Sequence, residues 1–221
     1  MKLLKKIIYS ILILFLLFSC DSDSKDEIEY PQESIRDYTM QYNVDILKIE
    51  AYLKTHSLTV INHSGYTDDQ DAVFTTVPNL DVSSMWGSDA NSPKSSLLTK
   101  FKTIEGVVHK IYYIKFRDGI GASPNANNQF TSYHKGYLLD DTIFGESSET
   151  GVTYELNQLI LGWREILPEF KMGTITGVNQ YEDFGAGVMF LPSALAYYQI
   201  SMNQIPAYSP VIFNFKVFNV F

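Results

Sequence analysis

One cysteine, four histidines and a shortage of basic residues limit what this 221-residue chain can do. With Cys20 alone no intramolecular disulfide can form, so a stable fold has to come from packing. His56, His63, His109 and His134 show no ligand spacing, so no metal is expected. The chain has no Gly-x-Ser-x-Gly elbow, which argues against a hydrolase of that kind. Gly119-Ile-Gly121 is too short for a dinucleotide fingerprint, and Pro124 soon follows it. Asp183-Phe184-Gly185 lacks the glycine-rich loop and catalytic-loop partner of a kinase and reads as a turn. Asp68-Asp69-Gln70-Asp71 lacks the glycine and distal glutamate of a calcium loop and reads as solvated acids. No cofactor is expected.

The basic residues that are present cluster at the start. Lys2, Lys5 and Lys6 precede an almost unbroken apolar run from Ile7 to Phe18, shorter than the roughly 20 residues that span a bilayer. Residues 1–19 therefore read as an export signal. The ending Leu17-Phe18-Ser19-Cys20 resembles a bacterial lipobox, which makes Cys20 the expected lipid-bearing residue and the membrane an expected partner through that lipid. Removing the three leader lysines from 17 basic and 25 acidic residues leaves a net charge of −11, a surface that repels nucleic acid. Residues 20–32 are acidic and nearly free of apolar side chains, as in a flexible tether. Within them Lys25-Asp26-Glu27 is similar to a surface-sorting signal of some Gram-negative lipoproteins, and equally to a solvated spacer. The expected location is the cell envelope of a Gram-negative bacterium, on the periplasmic or the outer face.

Residues 33–105 read as an N-terminal extension. Ile35, Tyr38, Tyr42, Ile46, Ile49 and Leu53 recur at spacings of three and four, which predicts a helix ending near residues 54–56, with Ser34 and Asp37 as a capping box. Leu58 to Ile61 and Ala72 to Val77 predict a strand pair around a turn at Asn62 to Gly65. Residues 78–100 predict a long loop anchored by Trp86.

A strand-rich domain is expected over 106–221, organised around the stretch 157–173. Trp163, Ile166, Leu167 and Phe170 lie on one helical face, with Arg164, Glu165 and Glu169 on the other. Pro168 is too deep for a first-turn proline, so the helix should be short and end near Leu167, with Gly173 as its stop. Val211, Phe213, Phe215 and Val217 alternate with Asn214 and Lys216, which predicts a final strand covering a core on one side.

Six blocks then occur in a telling order: Gly119-Ile-Gly-Ala-Ser-Pro124, Gly136-Tyr-Leu-Leu-Asp140, Phe144 with Ser147-Ser148, Leu159-Ile-Leu-Gly-Trp163, Leu191 to Tyr197, and Ile205 to Phe213. In this order the chain resembles FKBP-type peptidyl-prolyl isomerases over about residues 106–221, and bacterial lipoprotein members carry a helical extension like residues 20–105. The resemblance implies an α+β fold, a twisted antiparallel sheet curled around one short helix. It also implies Trp163 as a pocket floor, Leu159 and Ile160 as wall and backbone donor, and Tyr197 as a rim hydroxyl. Phe144 and Phe213 become aromatic walls, and Ile205 lies on the covering loop.

Four departures accompany the likeness. The usual pocket tyrosine position holds His134, with Tyr133 one residue earlier and therefore on the other face unless a bulge intervenes. Gly145 replaces an acid, Tyr198 replaces a glycine and is expected to narrow the cleft, and residues 174–189 form an insertion. The expected activity is isomerisation of X–Pro bonds in exported proteins. The alternative is a catalytically weak FKBP-like binding or assembly lipoprotein, in a setting such as a motility or secretion apparatus.

Overall fold

Asp37 starts the first helix: its side chain accepts a hydrogen bond from Met40 N–H at 2.9 Å, satisfying a donor that the first turn leaves orphaned. The computed structural model describes residues 35–61, 70–86 and 97–221. The leader, Cys20, the tether, Ser34 and the turn at 62–65 lie outside the described residues. Asp37 is itself the cap, not the third residue of a box begun by Ser34. Helix α1 (Tyr38–Thr55) buries Gln41, Asp45, Ile49, Tyr52 and Leu53. The C-terminal half of the expected stripe is therefore met, whereas at the start Ile35 is exposed and two polar residues take the inner face.

Strands β1 (His56–Ile61) and β2 (Asp71–Thr76) pair antiparallel from His56 opposite Thr76 to Ile61 opposite Asp71. Between 78 and 86 the firmest anchor is Met85, fully buried, with Trp86 only half-buried beside it. Residues 97–100, expected in a loop, open strand β3 (Leu97–Ile104). Its pattern hides the strand, because Lys100 and Lys102 turn inward to Glu169 (2.5 Å) and Glu165 (2.7 Å) while Phe101 is exposed. Glu105 (φ 47°) and Gly106 (φ 78°) make the two-residue turn into β4 (Val107–Arg117), the positive φ pair that matches strand twist.

There follow β5 (Gln129–Leu138), β6 (Ile143–Glu146), β7 (Val152–Glu155) and the short helix α2 (Leu161–Ile166), which passes into a 3₁₀ turn holding Pro168. The helix therefore ends where the proline predicts. Gly173 is not its stop, since Phe170 is already extended; a side chain at Gly173 would meet Glu182 O at 2.2 Å, so close backbone approach is its role. Strands β8 (Thr174–Gly177) and β9 (Gln180–Glu182) make a small hairpin before β10 (Gly185–Leu191) and β11 (Val211–Val220). Residues 185–189 of the expected insertion belong to the main sheet, and the hairpin packs on β11 through Tyr181, stacked on Phe218 at 4.8 Å.

The seven-stranded sheet is antiparallel throughout, in the order β3-β4-β10-β11-β5-β6, with β7 also paired to β5. It curls around α2 and the 3₁₀ turn that follows, where Trp163, Ile166, Leu167 and Phe170 pack on Met189, Leu191, Phe213, Phe215 and Val217. Its other face meets Ile49, Tyr52 and Leu53 of α1 with Leu58 and Met85, through Val188, Phe190 and Ile212. Strand β11 is thus covered on both sides, not one. Asn214 donates to Gly187 O (3.2 Å), and buried Lys216 reaches Asp71 of β2 at 2.7 Å. Residues 35–221 form one compact unit through these two cores.

Candidate functional site

The entrance to α2 makes the floor. Leu159 N–H is engaged within its own turn by Leu156 O (3.2 Å), and Arg164 Nε donates to Leu159 O (2.6 Å). Ile160 is the helix N-cap; its carbonyl accepts from Trp163 and Arg164, while its N–H has no backbone acceptor among the described residues. Three residues later Trp163 stands 3% exposed with its ring toward the sheet. Gly162 permits that approach, because a Cβ there would meet the Leu191 side chain at 2.4 Å.

Around the indole the rings meet edge to face, the favourable arrangement for aromatic quadrupoles. His134 and Phe213 both lie 5.3 Å from Trp163, at 87° and 77°. Phe213 continues to Phe144 (5.5 Å, 88°), and Phe144 to Tyr197 (6.5 Å, 90°). Tyr154 closes the opposite side, 5.9 Å from His134 and 6.4 Å from Trp163. Leu159, Ile160 and Ile205 pack against the same cluster. The result is a half-open aromatic bowl: Trp163, Phe213 and Ile205 are buried, while Phe144, His134, Tyr154, Tyr197, Leu159 and Ile160 keep partial exposure.

Two expected site residues are elsewhere. Tyr133 faces away from the bowl: β5 and β11 stay in register through Tyr133 opposite Lys216 and His134 opposite Phe215, so no bulge turns it inward. Its hydroxyl donates to Glu146 (2.6 Å), the Lys216 ammonium lies 4.6 Å from its ring, and it packs with Phe184 and Phe218. Burial and the Glu146 bond push its phenol well above the ordinary range. Tyr198 does not narrow the cleft either. Its positive φ of 48° swings the ring onto α1, where it stacks on Tyr38 at 4.5 Å and its hydroxyl donates to Arg36 O.

Two contributors escaped the sequence reading. Tyr154 sits in a short alternating strand after Gly151, a pattern too brief to mark a pocket wall. Gly136 seats Phe144: a Cβ at Gly136 would meet the Phe144 ring at 2.4 Å, so only glycine lets that wall lie across β5. By contrast nothing lies within 4 Å of a Cβ at Gly145, where the resemblance implies an acid.

The bowl is neutral. Burial alone lowers the His134 pKa below its ordinary 6.5 and raises that of the Tyr197 phenol, so imidazole and phenol are uncharged at neutral pH. Burial is also the leading cause of the depressed pKa of His109. An unfolded chain binds protons at these sites more readily than the native one, so their contribution to stability is present above about 6.5 and is lost as pH falls through the lower folded values. The stability difference between wild type and His134→Tyr should therefore shift in favour of the variant from pH 7.5 to pH 5. Paired urea titrations read this directly while cancelling the other groups; a pH-independent difference would contradict a buried neutral His134.

No family model matches the chain. It is 29% identical over 124 residues to the FKBP-type peptidyl-prolyl cis-trans isomerase FkpA of Buchnera aphidicola, covering 55% of this chain and 47% of that protein. It is 34% identical over 91 residues to the peptidyl-prolyl cis-trans isomerase Mip of Coxiella burnetii, covering 38% and 40%. The match thus spans about half the length of these two relatives, or less. Among solved structures, FkpA from Escherichia coli superposes with a TM-score of 0.43 at 24% identity, over 54% of this chain and 51% of that one. The names of the sequence relatives support the FKBP-type resemblance.

Proposed function

We propose that this protein is a lipid-anchored, extracytoplasmic peptidyl-prolyl cis-trans isomerase that takes proline-containing segments of exported proteins. The observation that carries the reading is the set of aromatic side chains packed around Trp163, several of them partly exposed and none of them charged. Such a site needs no nucleophile. An X–Pro amide is held planar by resonance, with a barrier of about 18–20 kcal/mol, and resonance separates charge between oxygen and nitrogen. Twisting the bond removes that charge separation. A bowl of low polarity therefore favours the twisted state over the planar one, and a differential of about 1.4 kcal/mol is tenfold in rate.

In this reading the proline ring rests on Trp163 between Phe144 and Phe213, with Ile205 over it. Ile160 N–H and the Tyr197 hydroxyl hold carbonyls of the substrate backbone, which keeps one side of the amide fixed while the other turns. The Leu17-Phe18-Ser19-Cys20 run supports the anchor and the envelope location. A second reading, an FKBP-like binding or assembly lipoprotein with weak catalysis, is favoured by His134 and Gly145, which depart from the pattern at two pocket positions.

Protease-free isomerisation of an X–Pro peptide, with residues 21–221 as catalyst, separates the two. Acceleration by the wild type establishes the isomerase. No acceleration, but gain with His134→Tyr, establishes a scaffold retained for binding. In cells, Cys20→Ala should leave the membrane fraction, and persistent membrane association would contradict lipid anchoring.

A further inference from the structure

The face of α1 turned inward at its start is polar, and its two buried polar residues, Gln41 and Asp45, both bond to one segment. Asp45 is fully buried. Its Oδ2 accepts from Ser193 N–H (2.8 Å) and from Ser193 Oγ (2.6 Å), and its Oδ1 accepts from Gln41 Nε2 (2.6 Å). Gln41 Nε2 also reaches Tyr208 O at 3.3 Å, and Arg36 Nη1 donates to Gln41 Oε1 at 3.0 Å. The Arg36 guanidinium lies 4.1 Å from the Tyr208 ring centroid, and Tyr38 stacks on Tyr198. The contacts thus grip residues 193–208 at entry, middle and exit.

That segment needs gripping. After one 3₁₀ turn at Ser193–Leu195 it has no regular element of its own, only scattered turn bonds: Tyr198 N–H to Ser193 O (2.9 Å), Ile200 N–H to Tyr197 O (3.0 Å), Tyr208 N–H to Tyr198 O (2.5 Å) and the short Met202–Ile205 pairing. Tyr198, Asn203 and Tyr208 all have positive φ, which costs a non-glycine residue strain that surrounding contacts must offset. Yet it carries Tyr197 and Ile205 of the bowl. A buried carboxylate is a poor choice for stability alone, since an apolar side chain of similar volume would avoid its desolvation. What a carboxylate supplies is direction: two Ser193 donors and one Gln41 donor converge on it from fixed angles.

We propose that α1 is a positioning element of the aromatic bowl, with Asp45 as its central positioning residue, fixing the 193–208 segment so that Tyr197 and Ile205 stand over Trp163. The proposal rests on the isomerase reading of that bowl for its consequence in substrate binding. The extension is then part of the substrate site, acting through the loop without touching substrate.

The test compares wild type with Asp45→Leu, which fills the space without accepting hydrogen bonds, and Asp45→Asn, which keeps an acceptor for Ser193. Asp45→Leu should raise KM for an X–Pro peptide about tenfold with a smaller change in kcat, because the rim is displaced and the floor is not. Asp45→Asn should restore part of the loss, since its amide oxygen still accepts from Ser193 while its NH2 faces the Gln41 donor. Backbone hydrogen exchange should quicken in 193–208 for Asp45→Leu and stay near wild type around Trp163. Ser193→Ala, which removes the hydroxyl donor alone, gives an intermediate effect and serves if Asp45→Leu does not fold. Unchanged KM together with unchanged exchange in a folded Asp45→Leu protein would overturn the proposal. An inactive wild type sinks the isomerase reading, and exchange over 193–208 then still decides whether Asp45 positions the segment.

Discussion

Trp163→Ala is expected to lose at least about tenfold in X–Pro isomerisation and roughly 3–5 kcal/mol of stability. The indole is 3% exposed and lies within 6.4 Å, centroid to centroid, of His134, Phe213, Phe215 and Tyr154. Removing it opens a cavity lined by four rings that lose their packing partner together, and a cavity that cannot collapse costs more than the transfer energy of the missing atoms. Since native proteins hold only about 5–15 kcal/mol in reserve, the variant should be assayed at low temperature. Trp163→Phe separates the two effects: it keeps much of the volume and a π face but shortens the floor, so stability should recover further than rate. Urea unfolding and the peptide assay measure the two quantities independently. A folded Trp163→Ala protein with wild-type acceleration would move the chemistry out of this bowl.

Gly185→Ala should destabilise by roughly 3 kcal/mol or more, although it adds a single methyl group. Its Cβ would stand 2.7 Å from Lys171 O and 2.8 Å from Asp118 O, both backbone atoms. Neither can step aside, because Lys171 N–H donates to Asp118 O and Gly185 N–H to Lys171 O, each at 2.8 Å. Three chain segments meet there: the end of β4, the exit from α2 and the start of β10. The control is Gly145→Ala, where the added methyl meets nothing within 4 Å and the change should stay within about 0.5 kcal/mol. Thermal denaturation of the pair is decisive, and equal melting temperatures would show that the three segments can part without penalty.

Local pattern carried the reading where a residue's partners are close in sequence. The spacing of Trp163, Ile166, Leu167 and Phe170, broken by Pro168, marked the helix and the face it buries. The period of two marked His134 and Tyr133 as opposite-facing neighbours. The order of the aromatic blocks brought out residues that the fold gathers: Phe144, Trp163, Tyr197 and Phe213. Legibility failed where a polar residue has a distant partner. Lys216 reads as solvent-facing until Asp71, on a hairpin far earlier in the chain, is placed beside it. Asp45 and Gln41 look like outer-face residues until Ser193 and Tyr208 arrive. In β3 the inward lysines pair with Glu165 and Glu169, reversing the polarity expected of a strand. Tyr198 was misplaced for another reason, since a positive φ reverses the direction of a side chain without leaving a signature in composition.

The position of β11 has a bearing on how the molecule assembles. In chain order it follows every other strand, yet in space it lies between β10 and β5. Until it docks, one half-sheet consists of β3, β4 and β10 and the other of β5, β6 and β7, with no strand hydrogen bonds joining them. No fragment ending before Val211 can close the sheet. Its closure depends on non-local pairings, which places the expected folding time in the millisecond-to-second range typical of such topologies. Until then the apolar flanks of both halves stay open to solvent and to other chains, so a copy caught before β11 docks is the form most prone to associate with its neighbours.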